Sequence, residues 1–273
     1  MHRPILLDGP MGTELLARGV ATPLPGWSAH ALQTNPQTVA AIHRDYATAG
    51  ADVHTTNTFR TQSRHFPDSW RAWIHTAVAM VRQGIDGFEG RIAGSIAPLE
   101  DCYMPERSPA NPGPEHREVA RALAEEGVDL MLAETFSHVG EAIVAATEAI
   151  ETGVPTWVSF TAGPDADLLG LDEIRAGAER VVALGAEAVL VNCIPTRRVS
   201  EFLTAISDLG VPFGAYGNAG DAQDEVGFTA NPIACDDYVA AAKDWIAVGA
   251  GILGSCCGTG VAHVRALRTA FPT

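Results

Sequence analysis

Short apolar runs rich in β-formers alternate with stretches of helical periodicity along the whole chain. The candidate strands are Ile5–Asp8, Ala51–Asn57, Arg91–Ala97, Val128–Glu134, Thr156–Thr161, Ala188–Cys193, Pro212–Asn218 and Gly251–Cys256. Each is followed by a helix candidate. Asn35-Pro36 reads as a cap and first turn, after which Val39, Ile42 and Tyr46 share one face and Gly50 stops the helix. Ile143, Ala146 and Ile150 repeat that spacing, with Gly153 as the stop. Eight strand–helix units without a linker predict one α/β domain over residues 1–273, a (β/α)8 TIM-type barrel. A doubly wound open sheet is the alternative.

In a barrel, function sits at the C-terminal ends of the strands. Here those ends carry Asp8, Asn57, Ser95, Glu134, Thr161, Asn192-Cys193, Asn218 and Cys256-Cys257, nearly all polar or ligating. The Pro-rich polar stretch 105–114 reads as a surface loop on the same face.

Composition narrows the classes. The 273 residues suit one barrel or two small domains, and the net charge of -15 disfavours nucleic acid and anionic membranes as partners. No three-part signal peptide opens the chain, and no apolar run reaches membrane-span length. Five cysteines in no disulfide-scaffold pattern point to a cytoplasmic protein with reduced thiols. The oligomeric state is not encoded in any feature of the chain.

Cys256 and Cys257 end the last strand, inside Gly254-Ser255-Cys256-Cys257-Gly258-Thr259-Gly260. Alone, such a pair reads as small buried packing groups or a vicinal disulfide. Cys193, at the end of a nearby strand, turns the reading toward a three-sulfur face for one Zn2+. Neighbouring strand residues point to opposite faces, so both Cys256 and Cys257 reach one ion only if the chain bends, which Gly254 and Gly258 permit. Cys102 and Cys235 lie away from strand ends and read as non-ligands. Three protein ligands leave a fourth position open for water or substrate. Three thiolates make zinc a poor Lewis acid for carbonyls but still hold a bound thiol deprotonated. The chemistry implied is alkylation of a substrate thiol. The histidines, His54, His75 and His138 among them, show no ligand spacing and read as ordinary surface or helix residues.

These motifs, in this order, resemble the zinc- and homocysteine-dependent S-methyltransferases, which include the betaine and S-methylmethionine enzymes and the homocysteine module of cobalamin-dependent methionine synthase. The resemblance rests on Leu6-Leu7-Asp8-Gly9-Pro10-Met11-Gly12-Thr13, Gly50-Ala51-Asp52-Val53 with Thr55-Thr56-Asn57-Thr58-Phe59, Glu134-Thr135, Val191-Asn192-Cys193, Tyr216-Gly217-Asn218-Ala219-Gly220 and the Cys256-Cys257 motif. It implies Cys193, Cys256 and Cys257 as catalytic zinc ligands. It implies Glu134 on the amino group of homocysteine, supported by Asp8, with first-loop N–H groups on the carboxylate. Asn218 matches a position that completes the zinc shell in some members. Asn57 and Asn192 read as strand terminators, Asp8 also as a turn residue, and Glu134 also as a partner for a core arginine.

Three positions depart from the family pattern. Pro10 replaces a glycine and removes one N–H from the first loop. Thr135 stands where the betaine enzymes carry tyrosine, and Arg60 where they carry an aromatic residue. Trp27 matches an aromatic position and can face a cationic donor, or simply pack the first loop. The partners implied are homocysteine and a small methyl donor, a sulfonium such as S-methylmethionine or S-adenosylmethionine, whose carboxylate Arg60 would meet. Since the barrel uses the whole chain, no cobalamin or folate domain is expected. The alternatives are methyl transfer to another thiol, transfer from a corrinoid protein in trans, or zinc or thiol binding without turnover.

Overall fold

The computed structural model describes residues 3–219 and 233–272. Its elements run β1 (Ile5–Leu6), α1 (Met11–Ala17), α2 (Ala31–Thr34), α3 (Pro36–Ala49), β2 (Val53–Thr55), α4 (Trp70–Gly84), β3 (Arg91–Ile96), α5 (Gly113–Glu125), β4 (Leu130–Phe136), α6 (Val139–Ile150), β5 (Thr156–Phe160), α7 (Leu171–Leu184), β6 (Ala188–Pro195), α8 (Val199–Ile206), β7 (Phe213–Asn218), α9 (Cys235–Val248), β8 (Ile252–Ser255) and α10 (Val261–Ala270). Gly220, the last residue of the β7 motif, lies outside the described residues.

All eight strands pair in parallel, in the order β1-β8-β7-β6-β5-β4-β3-β2. A parallel bridge from Leu7 to Val53 brings the first strand back to the second, so the sheet closes as a barrel. That closure removes the open-sheet alternative. Strand alternation divides the core. Leu7, Val53, Ala93, Leu132, Leu190 and Ile252 pack together inside the ring, and Ile92, Met131, Val158, Val189 and Leu253 belong to the layer under the helices. Most strands are therefore apolar on both faces, as a fully covered parallel sheet requires.

Local signals explain the helix ends. Pro36 opens α3, Val39, Ile42 and Tyr46 are buried along it, and Gly50 closes it at φ 98. In α6 the helix stops at Ile150, ahead of the expected Gly153, which turns the chain three residues later at φ 80. Among the described residues, no helix is long and apolar enough to cross a membrane.

Two strands run past their expected ends, and both do so through irregularities. β4 shifts register between Ala133 and Phe136, and β6 between Asn192 and Pro195. Thr135 sits at φ 63 and Cys193 at φ 51, in the left-handed region that non-glycine residues seldom enter. A bulge of this kind re-aims the side chains around it.

Candidate active site

The C-terminal ends of the strands surround a cavity of about 480 Å3. Asp8, Trp27, Arg60, Glu134, Cys193, Cys256 and Cys257 all line it. Asn218, the remaining predicted residue, does not line it. Its backbone oxygen accepts from Thr196 Oγ1, and its Oδ1 is buried without a partner among the described residues.

The three cysteines converge because of the two strand ends. Cys193 is turned inward at the β6 bulge. Past β8 the chain makes a tight turn in which Thr259 N–H donates to Cys256 O at 3.1 Å and Gly258 takes φ 79. Gly258 thus supplies the expected bend, whereas Gly254 does not. Gly254 stays within β8, where a Cβ would come within 2.8 Å of Leu7 and 3.0 Å of Tyr216. The ligand atoms of Cys193, Cys256 and Cys257 all lie within 4.8 Å of one another, and all three residues are buried.

The sulfurs of Cys193 and Cys256 meet directly across strand ends whose Cα atoms are 5.8 Å apart. β6 and β8 flank β7 in the barrel order, and the two sulfurs meet across its end. Cys257 remains free, with its Sγ 4.0 Å from that of Cys256, so there is no vicinal disulfide. A disulfide and a set of metal-bound thiolates are alternative states of the same sulfurs, since a metal takes the reduced, deprotonated form. Three sulfurs on one cavity wall fit a thiophilic ion. Burial pushes the Cys257 thiol up to about 11, and coordination would reverse that cost by stabilising the thiolate.

Glu134 lies within the β4 bulge and faces the same cavity. Its Oε1 accepts from Ser95 Oγ at 2.5 Å and its Oε2 from the Tyr216 hydroxyl at 3.0 Å. Those neutral hydroxyls, not a core arginine, are its partners among the described residues. Burial lifts its pKa to about 7, the two donors oppose that rise, and the nearby Asp8 adds to it. The carboxyl group is therefore poised to ionise fully when a cation arrives. Asp8 Oδ2 accepts Thr55 N–H at 3.0 Å, which fixes the carboxylate between β1 and β2.

Of the asparagines read as terminators, Asn57 lies just past β2, whereas Asn192 lies inside β6, which runs on to Pro195. Asn57 exchanges hydrogen bonds with Ser28, and Asn192 holds Thr135 and Ser159. Trp27, at φ 47, meets Phe59 edge to face at 6.0 Å. Arg60 Nη1 donates to Glu100 O at 2.6 Å, and its guanidinium lies 5.3 Å from the Phe59 ring. It therefore also ties down the loop after β3, a role the sequence did not reveal.

Sequence reasoning missed Tyr216, Phe59, Tyr103 and Cys102 as cavity residues. Tyr216 and Phe59 stand in motifs that carry the family resemblance, and Tyr216 also shares strand parity with Asn218. Cys102 lines the cavity, although burial pushes its thiol up to about 12 and it stands outside the three-sulfur group. The reading of His54 as a surface or helix residue is corrected: it lies on β2 and is wholly buried. His75 is exposed and pairs with Glu126, and His138 caps α6.

A barrel whose parallel strands end on a cluster of thiols and a buried carboxylate belongs to a narrow class. A family model described as homocysteine S-methyltransferase matches residues 5–271. The chain belongs to the homocysteine S-methyltransferase family. It is 29% identical to the homocysteine S-methyltransferase of Escherichia coli K12, over 97% of this chain and 94% of that protein. It is also 29% identical to the homocysteine S-methyltransferase YbgG of Bacillus subtilis 168, over 93% and 90%. The fold matches the metallated form of the Escherichia coli homocysteine methyltransferase MmuM with a TM-score of 0.83, at 23% identity, over 98% of this chain and 96% of that one.

Proposed function

We propose that this protein transfers a methyl group from a small sulfonium donor to the thiol of homocysteine, giving methionine, with Cys193, Cys256 and Cys257 holding one zinc ion. The observation that carries this reading is the convergence of three sulfurs and the Glu134 carboxylate on one cavity. Bound zinc would supply acidity to the substrate thiol, keeping it as thiolate near neutral pH.

The chain's own residues orient the reactants. Glu134 and Asp8 would present carboxylates to the ammonium of homocysteine, and the first loop, whose Gly9 and Met11 line the cavity, would offer N–H groups to its carboxylate. Ser95 and Tyr216 hold Glu134 by both oxygens, so its direction is set before substrate arrives. Trp27, Phe59 and Tyr103 line the same cavity and offer aromatic faces to a cationic donor. Arg60 borders these rings and would take a donor carboxylate. The thiolate sulfur attacks the methyl carbon in line, the new C–S bond forms, and the donor leaves as a neutral thioether. Holding the two reactants in that line is a main contribution of the barrel.

The paired carboxylates favour turnover over simple metal binding, which needs no clamp for an amino acid. We also propose a cytoplasmic location, where the thiols would be kept reduced and able to bind zinc. The test is a donor panel with homocysteine: S-methylmethionine, S-adenosylmethionine, glycine betaine and a methylated corrinoid protein, scored for methionine by mass spectrometry. Methionine from a sulfonium supports the reading. No methionine from any donor with zinc-loaded, reduced protein would contradict it.

A further inference from the structure

Behind the cavity wall, Asp8 meets two histidines that the proposed reaction does not use. His43 lies on α3 and His54 on β2, and neither has any solvent exposure. One ligand atom from each of Asp8, His43 and His54 lies within 4.8 Å of the others. His43 Nδ1 is 3.7 Å from Asp8 Oδ2, and the two imidazoles meet edge to face at 6.5 Å. None of the four ring nitrogens makes a hydrogen bond of ordinary geometry. A buried polar nitrogen without a partner is costly, so these rings have a strong reason to engage a nearby acceptor. The nearest carboxylate is that of Asp8, and a movement of well under 1 Å brings Nδ1–H into hydrogen-bond range of Oδ2.

We infer that His43, packed against His54, is a positioning residue for Asp8: it donates from Nδ1 to Oδ2 and so directs Oδ1 at the ammonium of the substrate. The inference rests on the proposed role of Asp8 as a substrate clamp. Thr55 N–H already holds Oδ2 from the strand side. A second donor from α3 would fix the remaining rotation of the carboxylate. Burial lowers the pKa of His54, which disfavours the charged form of the ring packed beside His43.

The same three side chains could instead ligate a metal, and the test separates the two. Homocysteine affinity is measured by calorimetry on reduced, zinc-loaded protein, beside the affinity of its des-amino analogue, which has no ammonium for Asp8 to hold. His43→Leu should weaken homocysteine roughly five- to tenfold and leave the analogue unchanged, because only the ammonium contact is disturbed. His43→Asn places an amide N–H where Nδ1 was and should restore most of the loss. In an Asp8→Asn background, His43→Leu should add nothing further. Equal weakening of both thiols, or full additivity with Asp8→Asn, would make the role merely structural and overturn the inference. Loss of a second bound metal in His43→Leu would overturn it in favour of a ligand set. If Asp8→Asn alone leaves homocysteine affinity unchanged, the clamp reading of Asp8 falls and takes this inference with it. If Asp8→Asn weakens homocysteine but His43→Leu does not, the inference alone falls.

Discussion

Asn192 and Thr135 hold each other twice: Asn192 Nδ2 donates to Thr135 Oγ1 at 2.7 Å, and Thr135 N–H donates to Asn192 Oδ1 at 3.1 Å. Each lies beside a site residue, Thr135 after Glu134 and Asn192 before Cys193. One amide therefore links the bulge that aims the carboxylate to the bulge that aims a sulfur. Asn192→Leu would leave buried groups unpaired and should cost about 3 kcal/mol of stability. It should also weaken both metal and homocysteine binding, although Asn192 belongs to neither set. Urea denaturation with metal analysis and calorimetry checks this. A stability loss with both affinities intact would show that the bulges hold their geometry without the link.

For the metal centre, Cys193→Ala, Cys256→Ala and Cys257→Ala should each abolish stoichiometric zinc in reduced protein. Cys102→Ala and Cys235→Ala should retain about one ion per chain. Mass-spectrometric metal analysis reads this directly. A full complement of zinc in Cys256→Ala would remove that residue from the ligand set.

Glu134 gives a stability prediction with a definite sign. Its folded pKa of about 7 lies above the ordinary carboxyl value of 4.5. The folded state then binds the proton more tightly, so this contribution to stability is complete below about 4.5 and is lost as pH rises through about 7. In substrate-free, metal-free protein, Glu134→Gln should gain up to about 3 kcal/mol on the wild type between acid and alkaline pH. The same variant should weaken homocysteine by roughly ten- to a hundredfold, the worth of a charge-assisted hydrogen bond, while keeping zinc. Denaturation midpoints against pH, with calorimetry at neutral pH, test both parts. A stability difference that does not change with pH would mean that Glu134 ionises normally.

Arg60 predicts donor preference. A sulfonium that carries a carboxylate should outperform glycine betaine, whose quaternary ammonium would approach the same guanidinium. Arg60→Ala should narrow that preference by about tenfold, provided the loop held through Glu100 O stays folded. Matched rates at equal donor concentration decide it, with thermal melting as the control for the loop. Betaine outperforming S-methylmethionine in the wild type would contradict the assignment.

The barrel was legible because each strand and helix carries its own period, and because Pro36 and Gly50 mark helix ends that the structure keeps. The cavity residues were legible where chemistry was concentrated at strand ends, as at Cys193 and Cys256. What stayed hidden depends on three-dimensional convergence. Nothing in the local sequence announces that Thr135 and Cys193 adopt a left-handed backbone, since neither is glycine. The burial of His54 follows from packing beside α3, where a polar residue on a short strand looks exposed from sequence alone.

The central claim is that thiol methylation here depends on zinc held by the three cysteines. The most direct measurement is the rate of methionine formation from homocysteine and S-methylmethionine as reduced, metal-stripped protein is titrated with zinc. The account predicts no turnover without metal and a rate that rises linearly to a plateau at about one zinc per chain. Equal rates in stripped and loaded protein, or no methionine at any zinc loading, would contradict it.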